Sequence, residues 1–151
     1  MTFSMKQITL REIRMTLREP FQISSGATST RRILLLQLEG ADGCTVWSEC
    51  VAGESPNYSP ETIATCWTAI TEWIAPKLLG KEFLGPGSVS EELDVDIRGH
   101  KMAKAAVEMG AWALEAEREG VSLSRLLGGT REQIGTGISL GIQNDPATLV
   151  R

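Results

Sequence analysis

The sequence predicts an α+β domain that runs strands first and helices second. Three observations carry this. Residues 5–18 and 44–50 alternate with a period of two, apolar residues from Ile63 to Ala116 recur at three- and four-residue steps, and a Gly-rich stretch follows the Gly128-Gly129 pair. With 151 residues, 42% of them hydrophobic and 23% charged, the chain is large enough to bury one ordinary core.

The first strand is expected over residues 5–18. Ile8, Leu10, Glu12, Arg14 and Thr16 fall on one side, and Thr9, Arg11, Ile13, Met15 and Leu17 on the other. A Ser-, Thr- and Gly-dense loop is expected over 19–31, with Phe21 as its only aromatic. Ile33 to Leu38 is an apolar run suited to a central strand, Ala41-Asp42-Gly43 supplies a turn, and Cys44 to Cys50 alternates again. Three strands joined by short connections read as an antiparallel meander.

The helical part opens with Ser59 as N-cap, Pro60 at the first helical position and Glu61 near the positive end of the dipole. Ile63, Cys66, Trp67, Ile70, Trp73 and Ile74 form one apolar stripe, and Pro76 forces an end or a kink near 73–75. A second helix starts at Ser88 or Ser90 and stops near Gly99. A third, about 100–118, places Met102, Ala105, Ala106, Met109, Ala113 and Ala116 on the buried side and is terminated by Gly120. Residues 134–143 then read as a Gly-rich strand, and Asp145-Pro146 starts a further helix.

Several functions are disfavoured. Net charge is −4 and no basic cluster exceeds Arg31-Arg32, so nucleic acid is not an expected partner. No apolar run approaches a membrane span and the N-terminus has no signal-peptide pattern, so no membrane is expected. Cys44, Cys50 and Cys66 form an odd set without CxxC spacing, which fits free thiols in the cytoplasm. Lys101 and Lys104 are read as a solvated helix face. Asp94 and Asp96, two apart, are read as surface charges rather than metal ligands, and His100 as a capping or solvent-facing residue.

Four motifs then occur in order. The Ser/Gly-rich loop 22–30 lies between the first two strands, and Gly53-Glu54-Ser55-Pro56-Asn57-Tyr58-Ser59, completed by Glu61, follows the third. Gly99 to Ala105 opens the long helix, and Val121-x-Leu123-x-x-Leu126-Leu127-Gly128-Gly129 closes it. Together they resemble the N-terminal capping domain of the enolase superfamily (mandelate racemase/muconate lactonizing enzyme-like), in the branch of o-succinylbenzoate synthases and N-acylamino acid racemases. The chain departs from that branch at Ala113, where the family commonly has Asp, and at Ser122, where it has Pro.

The resemblance implies a three-stranded antiparallel meander followed by a helical bundle over residues 1–129. It implies the first strand and first helix of a truncated (β/α) barrel over 130–151, the remainder being absent. The family removes a proton alpha to a carboxylate and holds the resulting enediolate on Mg2+, with Lys bases and Asp/Glu ligands on later barrel strands. Catalytic residues and Mg2+ ligands are therefore expected to lie outside this chain, which alone is expected to be inactive. Its own contribution would be substrate contacts from two capping loops and one strand: Phe21, Ser24, Ser25, Gly26, Thr28, Glu54, Pro56, Tyr58 and Ser139. The implied partners are a small carboxylate substrate, the missing barrel and further copies in a homo-oligomer. Two alternatives follow. One is a stand-alone module that oligomerises or complements a separate barrel, and the other is a dipeptide epimerase or muconate cycloisomerase relative.

Overall fold

The computed structural model describes residues 2–23, 26–143 and 145–150, and contains one four-stranded antiparallel sheet in the order β3-β2-β1-β4. The strands are β1 (Phe3–Ile23), β2 (Gly26–Gly40), β3 (Thr45–Cys50) and β4 (Glu82–Phe83). Contacts divide the chain into two units, Met1–Ile13 with Arg32–Gly129, and Arg14–Arg31 with Thr130–Arg151.

The first unit holds the core. Leu34, Leu36 and Leu38 alternate onto the helix side of β2, opposite Cys50, Ser48 and Val46 of β3. Phe3 and Met5 point inward from β1, but so do Ile8 and Leu10, so the alternation slips by one residue between Met5 and Ile8. The turn after β2 is closed by the Asp42 carboxylate, which accepts the Cys44 N–H at 3.0 Å. The two-residue β4, absent from the sequence expectation, pairs Phe83 with Phe3 across ring centroids 5.7 Å apart. So short a strand carries no alternation to read.

The first helical stretch starts later than the Ser59-Pro60 signal suggests. Its N-cap is Thr62, in a reciprocal box with Thr65: the Thr65 N–H donates to Thr62 Oγ1 at 3.2 Å, and the Thr62 N–H to Thr65 Oγ1 at 2.8 Å. From there α1 (Ile63–Thr68) runs into a π-helical turn (Ala69–Ile74) and then α2 (Ala75–Leu78). The π turn is how Pro76 is accommodated: the Ala75 N–H reaches back to the Ile70 carbonyl, and the chain passes the proline without stopping. Ile63, Cys66, Ile70 and Ile74 are buried as the stripe requires, while Trp67 and Trp73 lie at its partly exposed rim.

Helix α3 (Gly87–Asp96) is followed by α4 (Lys101–Glu119), which packs on β3 and α3. The buried small and apolar residues of α4 are Ala103, Ala106, Val107, Gly110, Ala111, Leu114 and Ala116, so Ala106 and Ala116 lie where expected while Ala105, Met109 and Ala113 fall outside the buried stripe. Close packing explains the difference: a Cβ on Gly110 would lie 2.5 Å from Leu38 Cδ1, so the glycine marks the line of nearest approach to the sheet. Ser48 Oγ adds a hydrogen bond to the Ala106 carbonyl at 2.7 Å. Gly120 ends α4 in the left-handed region at φ 63°, and the Val121 N–H bonds the Ala116 carbonyl. Ser122 caps α5 (Leu123–Leu126) by accepting the Arg125 N–H at 3.2 Å.

In the second unit, residues 19–23 and 26–31 continue β1 and β2 as strand instead of forming the expected loop. Residues 134–143 carry no strand: the segment is irregular and exposed. A strand is a paired object, and among the described residues none offers it a ladder. Asp145 caps α6 (Pro146–Leu149), its carboxylate accepting the Thr148 N–H at 2.9 Å.

Candidate functional site

The connection between β3 and α1 is an irregular segment of the first unit that is anchored at both ends. Its base is closed by a parallel bridge between Gly53 and Thr62 and by the Ile63 N–H donating to the Gly53 carbonyl at 2.9 Å. Near its start, the Glu54 carboxylate accepts the backbone N–H of Arg32 at 3.2 Å and lies 3.9 Å from the Arg32 guanidinium. Arg32 is itself held by Glu12 through two short bonds, Nε–Oε1 at 2.7 Å and Nη2–Oε2 at 2.8 Å. This paired geometry, with the Glu12 charge behind it, pushes the Arg32 pKa further up. Glu54 thus answers to a strand residue 22 positions away, not to its own turn.

At the other end, Glu61 lies against the N-terminus of α4. One oxygen of its carboxylate accepts the Met102 N–H at 3.0 Å, and the other accepts Met102 at 3.0 Å and Ala103 at 3.2 Å. Ser59 Oγ stands 3.8 Å from Met102 Sδ and accepts the Glu61 N–H at 3.3 Å. Between these anchors Pro56 is exposed and Tyr58, the only tyrosine, is 99% exposed. The Cys66 thiol donates to Glu61 at 3.4 Å. Its contact with Cys50, and then burial, push its pKa well up, so it remains a protonated donor.

The remaining sequence-selected residues lie in the second unit. Phe21 is exposed near the end of β1, Gly26 and Thr28 open β2, and Ser139 is exposed in the irregular segment. Ser24 and Ser25 lie outside the described residues. The sequence placed Glu61 at the dipole of the helix that follows it, whereas its carboxylate serves the start of α4. Its function needs the fold, because the helix it serves begins 40 residues later.

Two readings of isolated charges change. Lys104 is buried at 7% exposure, donating to Asp94 at 2.6 Å and to the Ile97 carbonyl at 2.5 Å, instead of facing solvent. The break between α3 and α4 turns its stem inward. His100 occupies the N-cap position of α4 with φ 49°, yet its half-buried imidazole makes no hydrogen bond that caps the helix. It rests edge-on against Trp73, ring centroids 5.0 Å apart, with Nδ1 buried and unpartnered. Asp94 and Asp96 stay on the surface, where their hydrogen bonds to Lys104 and Lys77 and the charges of Lys101 and Lys77 hold both carboxyls below the usual range. A divalent cation would have to displace those ammonium groups. Among the described residues no three metal-binding side chains converge, so the donors present do not fit Mg2+.

A family model described as mandelate racemase / muconate lactonizing enzyme, N-terminal domain, matches residues 5–128. The o-succinylbenzoate synthase of Geobacillus kaustophilus is 38% identical over 143 residues, covering 95% of this chain and 38% of that protein. The N-succinylamino acid racemase of Thermus thermophilus is 37% identical over 134 residues, or 89% of this chain and 36% of that one. A solved enolase-superfamily member from Listeria innocua is similar at a TM-score of 0.89 and 30% identity, over 98% of this chain and 40% of its own. The chain therefore spans about two fifths of the length of these relatives.

Proposed function

The chain belongs to the mandelate racemase / muconate lactonizing enzyme family as its N-terminal domain, and from that membership we propose that it is the substrate-capping part of a longer Mg2+-dependent enzyme. That enzyme takes a proton from the carbon alpha to a carboxylate. Its reaction is dehydration to o-succinylbenzoate, racemisation of N-acylamino acids, or both. The observation that carries this reading is the 53–62 connection: fixed at both ends by carboxylates, it presents Pro56 and Tyr58 outward rather than into a core. An anchored segment with an apolar, aromatic tip suits the covering of a pocket mouth and the exclusion of water from a charged intermediate.

In this reading residues 1–129 form the capping domain and 130–151 begin the barrel. Phe21, Ser24, Ser25, Gly26 and Thr28 supply the second covering segment, and Ser139 offers a hydroxyl to the substrate carboxylate. The bases and the Mg2+ ligands belong to barrel residues beyond the 151, and no proton transfer is assigned to a group of this chain.

A chimaera tests it. Residues 1–129 replace the aligned segment of the Geobacillus kaustophilus enzyme, and Mg2+-dependent formation of o-succinylbenzoate is followed alongside racemisation of N-succinylamino acids. Turnover of either substrate is expected. Tyr58→Ala should raise KM about fivefold with a smaller change in kcat, as loss of binding in ground and transition state alike requires. A soluble, folded chimaera with neither activity would overturn the proposal.

A further inference from the structure

We infer that Glu61 is a positioning residue: its carboxylate pins the 53–62 connection to the first amides of α4, and so sets where Pro56 and Tyr58 stand. The functional half of this inference rests on the capping role proposed above. The geometry begins with a helix that lacks a cap of its own. The N-cap position of α4 is His100, in left-handed backbone, with its imidazole turned against Trp73 and no side-chain bond to the helix. A helix start leaves its first amides without intrahelical partners, and its dipole favours negative charge there. Glu61 meets both needs from a distant part of the chain, with both oxygens engaged on Met102 and Ala103.

The same bonds act in reverse on the segment that carries Glu61. Its backbone between Glu54 and Glu61 has few internal ties, and the Gly53–Thr62 closure fixes only the two ends of the base. Arg32 holds the Glu54 end, and the α4 amides, assisted by the Cys66 thiol and by Ser59 against Met102, hold the Glu61 end. Glu54 and Glu61 each stand one residue from the base, but Glu54 is held by a single hydrogen bond from Arg32, whereas Glu61 is held by two amides of α4 and by the Cys66 thiol. The Glu61 carboxylate is therefore the element that links helix position to tip position.

Because Tyr58 is the only tyrosine, the chain labelled with 15N-tyrosine gives one amide signal that reports the tip directly. In the unaltered chain its order parameter is expected near the rigid-backbone value of about 0.85. Glu61→Ala should lower it below about 0.6 and raise amide hydrogen exchange across residues 54–60 roughly tenfold, with Leu36 and Leu38 still protected. Glu61→Gln retains one acceptor oxygen and should fall between the two. An unchanged Tyr58 signal in Glu61→Ala with α4 intact would overturn the inference. So would parallel loss of protection at Leu36 and Leu38 in both variants, because the carboxylate would then be holding the whole unit. The signal is read without turnover, so failure here is separable from an inactive chimaera.

Discussion

Gly110 shows how one missing methyl group sets the spacing between helix and sheet. Alanine at a helix interior is favoured over glycine by about 1 kcal/mol, so propensity alone predicts that Gly110→Ala stabilises. The space predicts the reverse, because the added Cβ would lie 2.5 and 2.6 Å from the two Leu38 methyls, and Leu38 is fully buried with no open side to swing toward. Overpacking of this kind costs about 1–3 kcal/mol, enough to outweigh the propensity gain. Urea denaturation should show Gly110→Ala less stable than the unaltered chain by about 1 kcal/mol, and the penalty should shrink when Leu38→Ala is combined with it. A gain in stability from the single variant would mean that α4 can move away from β2 at no cost. Glu61 makes the complementary point: its residue type and motif position were legible, but not the amides it serves.

Among the elements, legibility tracked how local the determining interactions are. The apolar run of β2, the alternation in β3, the stop at Gly120 and the start at Asp145 depend on neighbours within a few residues, and the structure keeps them. The start of α1 moved from Ser59 to Thr62 because two threonines three residues apart satisfy each other's amides, while Ser59 is drawn to Met102. Residues 19–23 and 26–31 are strand because pairing, not composition, decides where a strand ends. Burial of Lys104 was hidden because its partners belong to α3 and to the break after it, outside the α4 pattern. That contact makes the α3–α4 junction sensitive to acid. The carboxyl of Asp94 is depressed in the folded state, so its contribution is fully present above the unfolded value of about 3.9 and is lost as pH falls through the folded value. Asp94→Asn should therefore lower the urea midpoint at pH 6, and the gap from the unaltered chain should close as pH drops below about 4. A gap that persists undiminished at pH 3 would show that shape rather than charge holds the junction.

For the whole molecule, the segment after Gly129 has a strand's pattern without a strand's partners. Ile134, Ile138, Leu140 and Ile142 occupy even positions and are exposed, Ile138 at 84%, with Gly137, Ser139 and Gly141 between them. Burying one such side chain is worth about 1.5–3 kcal/mol, so four on a single unpaired segment form a strong drive toward any ladder that will accept them. In the reading proposed above, that ladder belongs to the rest of a barrel. For the 151 residues alone, the same drive acts between copies, and self-association that grows with concentration is the expected behaviour. Substituting Ile138, Leu140 and Ile142 together by serine removes the apolar face while leaving the core of the first unit untouched. Sedimentation velocity over a concentration series should show association in the unaltered chain and a monomer in the triple variant. A monomer in both would mean that the segment hides its apolar side chains within its own chain. Equal association in both would move the contact to the first unit, where the half-exposed rings of Trp67 and Trp73 would be the next side chains to alter.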